Sequence, residues 1–359
     1  HQLDHVKSIY GEKTKIYIYG AGIYGADLYH RINWLGNIDG FIDRNVEKQQ
    51  NGYLGEQVIA PEKILQKVDE EHIIIVAMEK KAAEQVMRLL RTAGYIKALD
   101  CFYIEDFLDF YTYQQYAFFA ADKLMISSVC MIPSTVCNLK CKDCLNFSPY
   151  FKKHIIHDFT FVKRDIDTLF RWIDYTPRFQ VSGGEPLLNK DLGRTLVYLD
   201  ENYRNRIGSI VPGDELCRLM KEHRIKVYLD DYRENVPQLR ETYTQTVEKL
   251  EKYGIEWIDN YVPEWFSLDV EHTEHSDMTD LQLENYFDNC GSPWNCLENE
   301  RLYSCNFAHF AAKAGIIEET ENDYFDLKDY SEVRKTELLE FLLKYTTKGY
   351  VDFCKKCAG

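Results

Sequence analysis

Cys137-Asn-Leu-Lys-Cys141-Lys-Asp-Cys144 is the stretch on which the reading of this chain turns. Its three thiols fall within eight residues, with three and then two residues between them, and no fourth cysteine follows closely. A four-iron cluster is usually held by four thiolates. A tight loop of this length sets three sulfurs around one cubane and leaves the fourth iron open to a small molecule, an opening that structural zinc sites do not need. Zinc ligation and unliganded surface thiols are the other readings of the same residues.

Eight more cysteines lie elsewhere in the 359 residues. Cys101, Cys130 and Cys217 stand alone in apolar settings and read as small buried hydrophobes. Cys290, Cys296, Cys305, Cys354 and Cys357 crowd the last 70 residues, and Cys354-Lys-Lys-Cys357 has metal-ligand spacing. A secreted disulfide framework wants a small chain and a signal peptide, and neither is expected here, although His1 in place of Met reads as trimming or a tag remnant. Clustered thiols in a cytoplasmic chain point instead to metal. Hydrophobic residues make up 45% and charged residues 28%, the balance of a soluble globular protein. The strongest apolar run, His72-Ile-Ile-Ile-Val-Ala-Met78, is strand-sized, so no membrane span is expected. A net charge of −15 argues against nucleic acid or an anionic membrane as partner.

The first hundred residues alternate strands and helices. Lys15-Ile-Tyr-Ile-Tyr19 runs into Gly20-Ala-Gly-Ile-Tyr-Gly25, a helix follows, and Ile38-Asp-Gly-Phe-Ile42 ends at Asp43. This rhythm predicts a Rossmann-like doubly wound domain over 1–105. Gly20, Gly22 and Gly25 match the dinucleotide fingerprint, with the helix N-terminus favouring a phosphate and Asp43 placed for ribose hydroxyls; NAD and a nucleotide-sugar fit equally, and such loops also occur in Rossmann-like domains that bind nothing. An aromatic helical stretch, 106–124, reads as a connector. A second α/β region follows, with strands at Phe179-Gln-Val-Ser182, Ile207-Gly-Ser-Ile210, Lys226-Val-Tyr-Leu-Asp230 and Gly254-Ile-Glu-Trp257. Helices are predicted over 161–173, 194–202, 213–222 and 236–253. From about 285 the pattern gives way to cysteine-bearing loops around one helix, 331–345.

The three-cysteine segment resembles the CxxxCxxC signature of the radical S-adenosylmethionine (SAM) superfamily, and Gly183-Gly-Glu-Pro186, at the end of the next strand, continues the resemblance. The resemblance implies a [4Fe-4S] cluster on Cys137, Cys141 and Cys144, with SAM on the open iron. Gly183 and Gly184 would admit its methionine moiety, and Glu185 would accept from its ammonium. Two departures stand out. Asp143 replaces the aromatic residue that often packs on the adenine, leaving Phe147 or Tyr150 for that role. Ile207-Gly-Ser-Ile210 also runs straight into Val211-Pro-Gly, where relatives carry a Thr-Asn-Gly-like turn, so a short segment is expected to be missing between Ile210 and Val211.

The last cysteines resemble the SPASM and Twitch auxiliary-cluster domains, the single closing CxxC favouring the Twitch form. The resemblance implies a second [4Fe-4S] cluster on Cys290, Cys305, Cys354 and Cys357, with Cys296 as spare ligand or hydrogen-atom donor. Structural zinc takes the same four thiols. The hairpin glycine usual in that family is absent, with Glu300 near its place. Asp230, Asp231, Tyr232 and Trp265 lie at strand ends or in the following loops, where barrel active sites sit. They read as substrate-hydroxyl ligands or a proton acceptor, or as solvated loop side chains.

The fold expected is therefore α/β: the Rossmann-like domain, a partial (β/α)6 TIM-type radical SAM barrel over 125–285, and a small Twitch/SPASM-like domain over 286–359. The function expected is that of an oxidoreductase or epimerase whose 5′-deoxyadenosyl radical takes a hydrogen atom from a small polar substrate, a sugar or nucleotide-linked sugar. An electron donor such as flavodoxin or ferredoxin would serve it. Modification of a ribosomally made peptide is a second enzymatic reading, and a non-catalytic zinc and nucleotide sensor is the reading from another class.

Overall fold

His72–Val76 is an unbroken apolar run because both its faces are covered: Ile73, Ile74, Ile75 and Val76 are all buried. The computed structural model describes residues 3, 6–7, 10–11, 15–65, 71–138, 144–207, 227–231, 233, 240–261, 267–290, 294–345 and 348–358. Within them the chain divides into two units, His1–Met125 and Ile126–Gly359.

In the first unit, β1 (Lys15–Tyr19), β2 (Ile38–Ile42), β3 (Val58–Ile59), β4 (His72–Val76) and β5 (Cys101–Tyr103) form one sheet in the order β3-β2-β1-β4-β5. Every pairing in it is parallel. Helix α1 (Ile23–Ile32) follows β1, α2 (Val46–Asn51) follows β2 and α3 (Lys80–Thr92) follows β4. Chain direction across the sheet reverses between β1 and β4, which opens a crevice beyond the carboxyl end of β1, where the glycine loop begins. Each fully buried isoleucine of β1 and β4 contributes roughly 1.5–3 kcal/mol. Helix α4 (Thr112–Ala121) belongs to this unit rather than linking it to another. Tyr113 accepts from Trp34 Nε1 (2.7 Å), Tyr116 accepts from Asn37 Nδ2 (3.0 Å), and both rings pack on Phe107.

The second unit starts with β6 (Val129–Met131), crosses through α5 (Phe159–Trp172) and returns parallel as β7 (Phe179–Val181). Asp158 caps α5 by accepting from Phe161 N (2.9 Å), and Val162, Ile166, Leu169 and Trp172 form its buried stripe. Helix α6 (Leu192–Tyr203) follows β7, and β8 (Val227–Asp231) and β9 (Trp257–Tyr261) pair in parallel around α7 (Arg240–Tyr253). Of the strand expected at 207–210 only Ile207 is described, in a parallel bridge to Thr176; the rest, the junction after Ile210 and the helix expected at 213–222 lie outside the described residues. Helix α8 is Asp280–Asp288. Strands β10 (Asn295–Glu298), β11 (Arg301–Tyr303) and β12 (Tyr324–Asp326) then extend the β6 sheet to the order β12-β11-β10-β6-β7. Strand β10 runs parallel to β6, with Cys296 opposite Cys130. Helices α9 (Asn306–Lys313) and α10 (Lys335–Leu342) complete the unit.

The β10–β11 hairpin turns through Asn299 (φ 54°) and Glu300 (φ 58°), a two-residue turn with both central residues left-handed. Glycine would relieve that conformation. Here Asp165 of α5, 1% exposed, accepts from both turn amides instead, Asn299 N at 2.6 Å and Glu300 N at 3.0 Å. Arg164 pairs with its Oδ1 at 2.8 Å. One buried carboxylate thus stands in for the glycine the sequence lacks. Asp165→Ala, which orphans both amides, is expected to cost about 2–3 kcal/mol in denaturant unfolding. Adding Asn299→Gly to that variant should recover about 1 kcal/mol by relieving the left-handed residue.

Candidate functional site

The segment that leads into the first cysteines is clasped by the Gly183–Glu185 turn. Gly184 N donates to Ser134 O (3.0 Å) and Glu185 N to Val136 O (2.8 Å). A side chain on Gly183 would put Cβ 2.6 Å from Ser134 O, and one on Gly184 would put it 2.5 Å from Thr135 O. Both glycines are therefore required by the chain's own backbone, whatever they also admit. On the far side of the cysteine loop, Asn146 Nδ2 donates to Gly183 O (2.7 Å), so the entry and the exit of the loop hang on one turn. Cys137 and Cys144 are partly exposed at the two ends of this arrangement, Glu185 is half-buried beside it, and Cys141 lies outside the described residues. Phe147 is committed to the core, buried and edge-on to Phe353 at 6.0 Å. The Tyr150 hydroxyl donates to Glu271 (2.8 Å).

The C-terminal thiols come together from three separate stretches of the sequence, around Cys290, Cys305 and Cys354. Cys305 and Cys354 sit in one apolar core with Phe147, Phe287 and Phe353, and Cys357 packs at its edge. Charge on Cys354 and Cys290 raises the pKa of Cys305, and charge on Cys357 and Cys290 raises that of Cys354, in each case after burial itself. Four thiols thus share one electrostatic neighbourhood. Burial pushes the Cys354 thiol up to about 12, so binding a metal there would release protons. Among the described residues no three His, Cys, Asp or Glu side chains stand close enough to hold a single ion, and no cysteine forms a disulfide. A cubane spreads its ligands over separate metal corners, and the chemistry of this donor set suits one. Cys296 belongs to the same apolar core as Cys305 and Cys354. It is fully buried in β10 against Cys130, and its thiol, held protonated by burial, has no opening toward a substrate.

In the first unit the glycine loop is locked from β2. Asp43 accepts from Ala21 N (2.8 Å) and Asn45 N (2.9 Å), and Lys48 Nζ donates to Ala21 O. A Cβ on Gly20 or Gly25 would run into backbone, whereas one on Gly22 would meet nothing. Packing explains the outer two glycines and leaves the middle one facing open space.

Of the strand-end acids, only the backbone of Asp230 is described, and Tyr232 and Trp265 lie outside the described residues. Asp231 is buried and gripped by Arg233 through two contacts of 2.7 Å. Those hydrogen bonds hold its carboxyl below the usual range and make it a poor proton acceptor.

Sequence reasoning missed a buried acid at the end of β10. Glu298 accepts from His157 Nε2 (2.7 Å) and His309 Nε2 (2.9 Å) and pairs with Lys313. His157 stacks on Phe161 at 3.8 Å and His309 on Tyr303 at 3.6 Å. Burial favours the neutral acid, but the two histidine hydrogen bonds and the charges of His309 and Lys313 outweigh it and hold the carboxyl well below the carboxylate range. His157 and Glu298 are 141 residues apart, a spacing no local pattern reveals; His309 and Lys313, one turn apart on α9, were the only local signal.

No family model and no curated protein matches this chain. A solved structure, a hexahistidine-tagged protein described as "anSMEcpe with bound AdoMet", is similar over 65% of this chain and 84% of its own, at 14% identity and a TM-score of 0.42. That degree of likeness is too slight to bear on fold or activity. No helix among the described residues is long and apolar enough to cross a membrane.

Glu298→Gln removes a buried charge that two histidine hydrogen bonds and the Lys313 ammonium answer, and is expected to cost about 3–5 kcal/mol near neutral pH. A carboxyl depressed by folding contributes stability above its unfolded pKa, about 4.3, and loses it as pH falls. The stability gap between wild type and Glu298→Gln should therefore be widest above about pH 5 and narrow on acidification, as measured by urea midpoints across pH.

Proposed function

We propose that this chain is a radical SAM enzyme acting on a small polar substrate. The observation that carries the reading is the clasp: the residues flanking the cysteine segment, Ser134, Val136 and Asn146, bond to the turn of Gly183-Gly-Glu-Pro186 some forty residues on. Cys137, Cys141 and Cys144 would hold a [4Fe-4S] cluster with one open metal, and when SAM is bound there the cluster supplies the electron that releases a 5′-deoxyadenosyl radical. The rest falls to the protein. The turn fixes where the loop enters and leaves, and Glu185 sits beside it as an acceptor for an ammonium group. Phe147 seals the loop's exit against the apolar core that also carries the C-terminal thiols.

We read Cys290, Cys305, Cys354 and Cys357 as a Twitch-like auxiliary cluster site, supported by their shared neighbourhood, with Cys305 and Cys354 buried and Cys290 and Cys357 partly exposed. An electron left on an oxidised substrate would pass to it, and flavodoxin or ferredoxin would supply the catalytic cluster. The N-terminal unit is proposed as Rossmann-like and nucleotide-binding, on the strength of the open face at Gly22 beside the crevice. That pairing favours a sugar or nucleotide-linked sugar as substrate, with oxidation or epimerisation as the outcome.

Anaerobic reconstitution with iron and sulfide should give a brown protein that forms 5′-deoxyadenosine from SAM and a low-potential reductant. Cys137→Ala, Cys141→Ala and Cys144→Ala should each reduce that product to background. A colourless protein holding tetrahedral zinc at the first cysteines would end the proposal.

A further inference from the structure

Lys344 combines two features that ordinary packing does not explain. It follows α10 at the position where a Schellman ending takes a left-handed residue: Tyr345 N donates to Glu340 O (2.8 Å) and Lys344 N to Phe341 O (3.1 Å). Glycine usually fills that place, but here a lysine adopts φ 65°. Its side chain then turns inward and is only 7% exposed. Nζ donates to Phe287 O (2.6 Å) and lies 4.6 Å from the centre of the Phe287 ring. A carbonyl and a ring face satisfy some of its hydrogen bonding but bring no counter-charge into contact with it. Among the described residues no carboxylate forms an ion pair with it, and Asp288, the acid it feels, is exposed. A buried charge without a counter-charge is costly, as is a left-handed lysine, and such outliers cluster where function requires them.

The same Phe287 carbonyl also accepts from Cys290 N (3.2 Å), which ties the ammonium to the turn that presents Cys290. Burial disfavours the charge of Lys344, and charge on Asp288, and after it on Cys290, Cys354 and Cys305, would favour it. Protonated thiols offer it no anion, whereas four thiolates around a metal–sulfur core leave a centre that is negative in either oxidation state.

We infer that Lys344 is the built-in counter-cation of a metal–sulfur centre on Cys290, Cys305, Cys354 and Cys357 and sets the reduction potential of that centre. The inference rests on the auxiliary-cluster reading given above. One-electron reduction by an external low-potential donor adds one negative charge to the centre, and a fixed ammonium beside it favours the reduced form. A glycine at this helix ending could not reach the Phe287 carbonyl, which accounts for lysine where glycine would fold more easily.

The test compares wild type with Lys344→Met, which keeps the shape and the left-handed residue but loses the charge, and with Lys344→Arg, which keeps it. Each is reconstituted in a chain whose Cys137, Cys141 and Cys144 are replaced by alanine, so that one cluster remains, and is titrated against potential by electron paramagnetic resonance. The midpoint should fall in Lys344→Met and stay near wild type in Lys344→Arg, at equal iron and sulfide content. In the otherwise unmodified chain, Lys344→Met should raise the melting temperature of the metal-free protein and shrink the stabilisation gained on loading. Equal midpoints at equal iron content, or a metal-free Lys344→Met protein that melts lower than wild type, overturn the role of Lys344 alone. Zinc in place of iron in every variant overturns the cluster reading, and the inference with it.

Discussion

Two backbone amides, on Gly184 and Glu185, donate to carbonyls on either side of Thr135, and the chemistry proposed for the second unit depends on that contact. It can form only where the turn carries no Cβ, since either glycine substituted would press into the 134–136 backbone. Glycine at these positions is thus first a packing requirement. Any space it grants a ligand comes after the space it grants the protein. Asn146 closes the clasp from the other end of the loop. Both flanks of the cysteine segment are thereby held to one turn, and preorganisation of the flanking backbone is what metal ligation requires.

Much of this architecture was legible in the residues. The apolar run Ile73-Ile-Ile-Val76 announced a central parallel strand, and Gly20-x-Gly22-x-x-Gly25 announced the turn after β1, because both signals are local and periodic. The aromatic stretch around Tyr113 and Tyr116 was recognisable as core but not as the core of the first unit, since its hydroxyls answer Trp34 and Asn37 nearly eighty residues away. The return of β10 to the side of β6 was also hidden. Nothing in Asn295-Cys-Leu-Glu298 names its neighbour, and a parallel partner more than 160 residues earlier leaves no pattern in the sequence. Cys296 was ambiguous for a related reason. A cysteine among metal-spaced cysteines invites a chemical role, while full burial in a strand equally suits a small apolar side chain.

Two of the buried charges of the second unit make an instructive pair. Glu298 is surrounded by His157, His309 and Lys313, so its burial is repaid within the protein. Lys344 is buried almost as deeply with no such company among the described residues. Asp165 shows a third arrangement, a carboxylate that spends its acceptors on the two amides of a strained turn. Polar groups inside a protein are tolerated in proportion to how completely they are answered. By that measure Glu298 and Asp165 serve the fold, and Lys344 answers to something beyond it.

The seating of β10 beside β6 bears on how such a chain could be rearranged in evolution or by design. Strand β6 opens the unit's parallel series, and β10 covers its outer edge while β7 covers the inner one. Cutting the chain before β10 would strip that edge bare and leave its amides and carbonyls ready to recruit a neighbouring molecule. The cysteine-rich tail is therefore no cassette to be swapped freely between scaffolds. Whatever is grafted in its place must first supply a strand of matching direction and register.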